Sequence, residues 1–155
     1  MRIQTFHALG LAIVRAEAEA LGLRPGFSVL DPQDLESIVG ELVASADRSR
    51  VRRAQWAISR WKNALVAPRD ALREAKDDDE RVAAKAYARY AEALAAYQAV
   101  DFDDLIRLPV ELLERDAAVR ERWQARCEHL LVDEVQDTNP AQYRLFRALI
   151  GRAHV

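Results

Sequence analysis

The chain is poor in cysteine, glycine and proline. Among its 155 residues there are one cysteine, five glycines and five prolines. The lone Cys127 excludes a disulfide within the chain and, with no cluster of histidines or cysteines near it, a cysteine-based zinc site. The low glycine and proline content excludes collagen-like and low-complexity chains, and the spread of charged residues excludes a transmembrane segment. The N-terminus lacks a long apolar stretch with a cleavage site, so we expect no signal peptide and a cytoplasmic location.

Glycine is also missing from the places where nucleotide-binding loops need it. The glycines stand at positions 10, 22, 26, 40 and 151, and none precedes a lysine followed by serine or threonine. The G-x-x-x-x-G-K-[ST] and G-x-G-x-x-G loops, which hold phosphates on backbone amides, therefore do not occur in the sequence. This sequence has no phosphate-binding loop of its own.

The chain is rich in apolar and charged residues at helical spacing. Hydrophobic residues make up 50% and charged residues 31%, with a net charge of −2, which suits an ordered globular domain. Apolar residues recur every three or four positions, which predicts amphipathic helices. We predict helices over 5–21, 32–46 and 48–66, and an alanine-rich helix that opens at the acidic run 77–80 and ends near residue 100.

The sequence changes character after residue 100. Asp101, Asp103 and Asp104 are expected to cap a helical stretch. Pro109 is expected to interrupt that stretch. A further helix is predicted over 116–127.

The last part of the chain combines a short apolar run with a helix start. The run 129–133 predicts the one buried strand, because its length favours a strand over a helix. Asn139 is the expected N-cap of a last helix, with Pro140 at its first position and Gln142 completing a capping box. One strand followed by one helix predicts part of an α/β sheet beside an otherwise helical chain.

The helix predicted over 48–66 has a basic face. Six basic residues and no acidic one occur from Arg48 to Lys62. If all six contacted phosphates of single-stranded DNA, the log of the binding constant K would fall with log salt at a slope of about −4. Trp56 falls almost opposite the apolar stripe that contains Trp61. One interpretation is a DNA contact, with arginines on phosphates and the indole on a base. The other is that Trp56 packs on a neighbouring helix while the arginines pair with the run 77–80. The arginines that flank Trp56 are Arg52, Arg53 and Arg60.

The acidic pair that ends the predicted strand suggests nucleotide chemistry. Asp133 would lie at the carboxyl end of the strand, where open α/β folds bind ligands, and its carboxylate could hold Mg²⁺. Glu134 would lie beside the metal, placed to orient or deprotonate a water that attacks a phosphate. Acidic residues also end strands without any such role, so the pair alone leaves both interpretations open.

The longer run LVDEVQDTNPAQY, residues 131–143, resembles motif II of the UvrD, Rep and PcrA family of superfamily-one DNA helicases, D-E-x-Q-D-T-N followed by a helix with Q-Y. Three shorter blocks agree with it in order. TFHALG at 5–10 (the T-F-H block) is similar to motif Ib, WKN at 61–63 (the W-K-N block) to a stretch between the two motifs, and DFDDLI at 101–106 (the D-F-D-D block) to the segment before motif II. The resemblance spans residues 3–151.

This resemblance implies a fold and an activity. Such enzymes use ATP and Mg²⁺ to move 3′-to-5′ along single-stranded DNA and to separate duplex, with two RecA-like core domains that carry insertions. The expected fold is mainly α. Helical subdomain 1B would cover 9–115, a remnant of core domain 1A would cover 1–8, and a partial RecA-like α/β portion of 1A with motif II would cover 116–155.

The resemblance also implies roles for individual residues and partners. Glu134 and Gln136 would be catalytic, Asp133 would bind Mg²⁺ and the nucleotide, and Asp137 would help to bind the cofactor and couple it to neighbouring motifs. The T-F-H block would contact the single strand through Thr5, Phe6 and His7. The expected partners are single-stranded and duplex DNA, the rest of the helicase, and replication or repair proteins, with no membrane.

The sequence departs from the family because the phosphate loop before the T-F-H block and the motifs after motif II are missing. We therefore expect a piece of a longer protein that by itself binds no cofactor and hydrolyses no ATP. One alternative is a stand-alone helical DNA-binding or protein-interaction module. Another is a metal-dependent nuclease that uses Asp103, Asp104, Asp133 and Glu134, and a helicase–nuclease relative is a third.

Overall fold

A computed structural model describes residues 4–127 and 130–150. The predicted mainly helical fold is confirmed. Within the described ranges no helix is both long and apolar enough to span a membrane. The helices are α1 (Phe6–Ala16), α2 (Pro32–Leu42), α3 (Arg48–Asn63), α4 (Ala71–Glu74), α5 (Asp78–Ala96), α6 (Asp104–Arg115), α7 (Ala117–Ala125) and α8 (Pro140–Ile150), with single 3₁₀ turns at Glu19–Leu21 and Val135–Asp137.

Several helices begin at the predicted residues because a side chain there satisfies free amides of the first turn. The Asp31 carboxylate accepts hydrogen bonds from the Gln33 and Asp34 amides, and Pro32 follows at the first helical position. Asp77, in the acidic run, accepts from the Glu80 amide at 2.8 Å and starts α5.

The predicted capping box at the start of α8 is confirmed. The Gln142 amide donates to Asn139 Oδ1 at 2.8 Å, and the Asn139 amide donates to Gln142 Oε1 at 3.1 Å. Two amides of the helix start are thus satisfied reciprocally.

Two hydrophobic clusters hold the helices together. The first joins α2, α3 and α5, where Trp61 is 2% exposed and stacks on Tyr87. The predicted core position of Trp61 is confirmed. The second joins α1, α6, α7 and α8 through residues such as Ile13, Val110 and Leu145, all fully buried.

A short parallel strand pair, which the sequence pattern did not predict, lies between distant parts of the chain. Strands β1 (Ser28–Val29) and β2 (Ala99–Val100) pair with Ser28 opposite Ala99 and Val29 opposite Val100. The Gln98 side chain accepts a hydrogen bond from the Arg24 amide at 2.8 Å, which ties the two segments together beside the pair.

The strand predicted over 129–133 does not form at residues 130–133, and His129 lies outside the described residues. A strand is stabilised by ladder hydrogen bonds and by packing of its side chains, and here Leu131 is 91% exposed. In the described ranges the two strands present pair only with each other. Of the strand and helix predicted around motif II, the described residues contain the helix, α8, and not the strand.

The predicted interruption at Pro109 is wrong, since α6 runs from Asp104 to Arg115 with the proline inside it. Proline lacks the amide that would donate to the carbonyl four residues earlier, which belongs to Leu105. That carbonyl faces Gly10 of α1 instead, where a Cβ would lie 1.8 Å from the oxygen. The first predicted helix is also shorter than expected, because α1 ends at Ala16 and a 3₁₀ turn follows.

Candidate functional site

An open cleft between α3 and the start of α5 surrounds Trp56. The indole is 78% exposed, which confirms the outward position predicted from helical geometry and rules out packing on a neighbouring helix. The cleft has a volume of about 460 Å³. We call it the Trp56 cleft, and it is lined by Arg53, Trp56, Ala57, Ser59, Arg60, Asn63, Asp77, Asp79 and Glu80.

The arginines around the cleft are partly paired with the acidic start of α5. Arg60 lies 2.7 Å from Glu80, and Arg53 lies 3.1 Å from Asp79. Arg52 is exposed and forms no ion pair with the described residues. The pairing of the arginines with the acidic run is therefore found for Arg53 and Arg60, the packing of Trp56 is not, and the DNA contact stays a prediction. The Arg53–Asp79 pair is exposed and is worth about 0–1 kcal/mol, so a phosphate could displace it, whereas Glu80 in the other pair is only 16% exposed.

Lys62 does not belong to the basic surface, which corrects the count of six available cations. Its side chain is 1% exposed, and its Nζ lies 2.6 Å from Asp101 and 2.9 Å from Asp104. The Tyr90 hydroxyl donates to Asp101 at 2.7 Å, and Arg107 pairs with Asp104 at 2.9 Å. The W-K-N block and the D-F-D-D block thus meet in a buried network of ion pairs.

Burial and charge shift the pKa values in this network in opposite directions. Burial raises the pKa of the Asp101 carboxyl, and the charge of Asp104 adds to the rise. Burial also acts to raise the pKa of Asp104, but the charges of Lys62 and Arg107 outweigh it and lower that pKa. Burial and Asp101 together raise the pKa of the Tyr90 phenol. Asp104 is therefore held as a carboxylate by two cations.

The predicted caps in the D-F-D-D block are confirmed for Asp101 but not for Asp103. Asp101 Oδ1 accepts from the Asp104 amide at 2.9 Å, and Asp104 accepts in return from the Asp101 amide at 3.3 Å. Asp103 stands at the N-cap position of α6, and its side chain caps no amide there. It accepts from the Asn63 side chain at 2.9 Å instead.

Asn63 connects three of the motif blocks through its side-chain amide. Its Nδ2 donates to Asp103 at 2.9 Å and to the Ser59 carbonyl at 2.9 Å. Its Oδ1 accepts from Asn139 Nδ2 at 2.7 Å, and Asn139 is the last residue of the D-E-V-Q-D-T-N run. The W-K-N block, the D-F-D-D block and motif II therefore converge on one side chain that also lines the Trp56 cleft.

The T-F-H block lies at the start of α1. The Thr5 hydroxyl oxygen accepts from the Ala8 amide at 3.2 Å and caps the helix, and Phe6 packs against the second cluster. His7 stacks on Phe102, with ring centroids 3.7 Å apart and an interplanar angle of 17°. Partial burial lowers the pKa of His7, and the nearby Asp103 charge opposes that shift. The His7–Phe102 stack thus places the T-F-H block beside the D-F-D-D block.

The acidic residues of motif II lie in an exposed turn. Asp133 Oδ1 accepts from the Glu134 amide at 2.9 Å, and the Gln136 side chain donates to the Glu134 carboxylate. Glu134 has a φ of 50°, a left-handed conformation uncommon for a residue other than glycine. Asp137 is exposed in the 3₁₀ turn that follows.

This arrangement fits a Mg²⁺ ion only together with a nucleotide. Mg²⁺ in phosphoryl-transfer sites is bound by one or two carboxylates, water and substrate phosphates, and Asp133 offers one exposed carboxylate. Over 4–127 and 130–150 no group of three or more acidic, histidine or cysteine side chains could hold a metal ion. Asp104 is occupied by Lys62 and Arg107, which removes it from the set that a metal-dependent nuclease would need.

Comparison with known proteins identifies the relatives of this arrangement. A family model described as the UvrD/REP helicase N-terminal domain matches residues 1–155. The chain belongs to this family. It is 42% identical to the ATP-dependent DNA helicase Rep of Salmonella typhimurium over 155 residues, which cover 98% of the chain and 23% of that protein.

Other members of the UvrD/REP family give similar values. The identity to the Rep helicase of Escherichia coli is 42%, over 97% of the chain and 23% of the relative. The ATP-dependent DNA helicase PcrA of Staphylococcus epidermidis is 36% identical, over 97% of the chain and 21% of the relative. The chain thus spans less than a quarter of the length of these curated helicases.

For this UvrD/REP chain, the sequence patterns located the motif blocks but not their contacts. Lys62 was predicted as part of the W-K-N block and of the basic face, and Asn63 as part of that block, whereas their partners lie 39 and 40 residues later in sequence. One signal pointed to Lys62, because it directly follows the core residue Trp61 and lies beside the apolar stripe. No comparable signal identifies Asn63, which lies on the outer face beside Trp56.

Proposed function

We propose that this chain is the part of an ATP-dependent DNA helicase that contacts single-stranded DNA and carries motif II. The whole enzyme would move 3′-to-5′ and separate duplex, with the rest of the helicase and replication or repair proteins as further partners. The observation that carries the proposal is the exposed Trp56 in an arginine-flanked cleft whose wall is hydrogen-bonded to motif II. We retain the division into 1–8, 9–115 and 116–155 as part of this proposal.

In this proposal DNA binds by charge and by stacking. Arg52, Arg53 and Arg60 would contact phosphates, and a base would stack on Trp56, which contributes about 1–3 kcal/mol per base. When a phosphate replaces the carboxylate of Asp79 or Glu80 as the partner of an arginine, that arginine stays paired, which favours binding of DNA in the cleft. Thr5, Phe6 and His7 would contact the strand near the exposed ring of Phe102.

The nucleotide half of the proposal assigns roles to the motif II turn. Asp133 would hold Mg²⁺, which neutralises charge on the phosphates when it is bound, and Asp137 would support the nucleotide site. Glu134 would orient and deprotonate the attacking water, with Gln136 holding its carboxylate. The 155-residue chain itself should hydrolyse no ATP, because its sequence has no glycine–lysine loop to bind the triphosphate.

A titration of the chain with fluorescently labelled oligo-dT tests the DNA contact. Trp56→Ala should weaken binding about 10-fold or more, because a stacking interaction is lost. Contacts from three arginines should give log K a slope of about −2 against log salt. Asp79→Asn, which releases Arg53, should tighten binding.

Two controls make this test specific. Tyr97→Ala removes another aromatic ring, 66% exposed, from outside the cleft and should leave the affinity unchanged. Phosphate release is measured beside a Glu134→Ala control. An affinity for oligo-dT that changes neither with salt nor in Trp56→Ala would contradict the DNA proposal and favour a protein-interaction module. ATP hydrolysis above the Glu134→Ala control would contradict the predicted inactivity of the chain.

A further inference from the structure

We infer that Asn63 is a positioning residue that makes the motif II turn respond to what occupies the Trp56 cleft. This inference rests on the proposed function. It concerns a contact between α3 and α8 that neither the motif pattern nor the acidic residues of motif II reveal. Three features of the structure support it.

The first feature is the fixed orientation of the Asn63 amide. Its two N–H groups face the Asp103 carboxylate and the Ser59 carbonyl, both acceptors, and its oxygen faces the Asn139 N–H donor. A flipped amide would place oxygen against two acceptors and N–H against a donor. The side chain therefore has one favourable orientation, and the bond with Asn139 depends on it.

The second feature is that Asn63 lines the Trp56 cleft together with Arg60. A phosphate oxygen or base carbonyl in the cleft can accept a hydrogen bond from the Asn63 N–H, in competition with Asp103 and Ser59. Rotation of the amide toward such an occupant breaks the bond with Asn139. DNA in the cleft thus has a direct effect on a residue of motif II.

The third feature is the set of hydrogen bonds within the turn between Asn139 and Glu134. The Asp137 amide donates to the Glu134 carbonyl at 2.9 Å, and the Thr138 hydroxyl donates to the Val135 carbonyl at 2.7 Å. These hydrogen bonds join residue 134 to 137 and residue 135 to 138, directly before Asn139. A change at Asn139 is therefore passed to Glu134.

The test uses the full-length helicase that contains this chain and variants of Asn139. Asn139→Asp and Asn139→Ser each keep an oxygen that can cap α8, but each loses the N–H that Asn63 accepts. Gln142→Ala is the matched control, because it removes a hydrogen bond of the same cap and leaves the Asn63–Asn139 bond. A role in helix stability alone would affect all three variants.

The main measurement is ATP hydrolysis with and without saturating oligo-dT. We expect the ratio of hydrolysis with DNA to hydrolysis without DNA to fall at least about 5-fold in both Asn139 variants, while Gln142→Ala keeps the wild-type ratio. Hydrogen exchange of residues 134–142 provides a second readout. Oligo-dT should change it in the wild type and in Gln142→Ala but not in the Asn139 variants.

The outcomes separate this inference from the function on which it rests. Normal stimulation in the Asn139 variants, or equal loss in Gln142→Ala, overturns the role of Asn63 and leaves the proposed function standing. A wild-type enzyme that oligo-dT neither binds nor stimulates overturns the proposed function itself.

Discussion

Replacing Gly10 by alanine should destabilise the fold, although alanine favours a helix. Gly10 lies inside α1, against the Leu105 carbonyl of α6. A Cβ at position 10 would lie 1.8 Å from the carbonyl oxygen and 2.8 Å from its carbon. Both are backbone atoms, so no change of side-chain rotamer relieves the overlap. The two helices would have to move apart by more than an ångström.

The size of the effect follows from the side chains that hold α1 in place. Ile13 and Val14 are 0% exposed, and full burial of such a side chain is worth about 1.5–3 kcal/mol. A gap of about 1 Å or more forfeits roughly half of this energy, about 1.5–3 kcal/mol for the two side chains. After the gain of about 1 kcal/mol in helix propensity, we expect a net loss of about 0.5–2 kcal/mol in the free energy of unfolding.

Gly40 provides a matched control for this prediction. It also lies inside a helix, α2, but a Cβ there would meet only ordinary contacts, the nearest at 3.7 Å from Val51. Gly40→Ala should therefore stabilise the fold by about 0.5–1 kcal/mol. Urea denaturation followed by circular dichroism measures both variants. A Gly10→Ala protein as stable as the wild type would refute the close contact between α1 and α6.

Two further predictions concern the buried network and the T-F-H block. Lys62→Met should lower the free energy of unfolding by about 3–5 kcal/mol in the same urea assay, because it leaves two buried carboxylates with one cation fewer. Lys85→Met, at an exposed position, should cost little, and equal losses would contradict the role of burial. Burial lowers the pKa of His7, so the neutral ring stabilises the fold above its unfolded pKa of about 6.5, and this contribution is lost as pH falls through the lowered value. His7→Phe should therefore flatten the decline in stability below about pH 6.5 in urea titrations at several pH values, and an unchanged slope would contradict the shift.

The local features of this fold were predictable because they depend on neighbours in sequence. Asp31 before Pro32 and Asn139 before Pro140 mark helix starts through hydrogen bonds that span two or three residues. Helical geometry alone placed Trp56 outside and Trp61 inside, and both positions are confirmed.

The features that sequence reasoning missed depend on contacts between distant segments. Lys62 counts as a surface cation in the charge pattern of 48–62, and only its pairing with Asp101 and Asp104 makes its burial tolerable. Pro109 signals a break, but α6 continues through it, and the Leu105 carbonyl that the proline leaves without its amide donor lies against Gly10, far away in sequence. The run 129–133 has the composition of a strand, and composition cannot supply the neighbouring strand that it needs.

The strand pair holds together the two ends of the segment that contains α2 to α5. Ser28 pairs with Ala99 and Val29 with Val100. The chain therefore enters the segment of α2 to α5 and leaves it at adjacent points. The entropy of closing such a loop grows slowly, by about 0.6 kcal/mol for each doubling of length. Insertions or deletions in the loops of this segment should therefore cost the remaining helices little, provided that the two ends still meet and that α3 keeps its contacts with α6 and with Asn139. The pair gives these helices a fixed base from which their connections can vary in length.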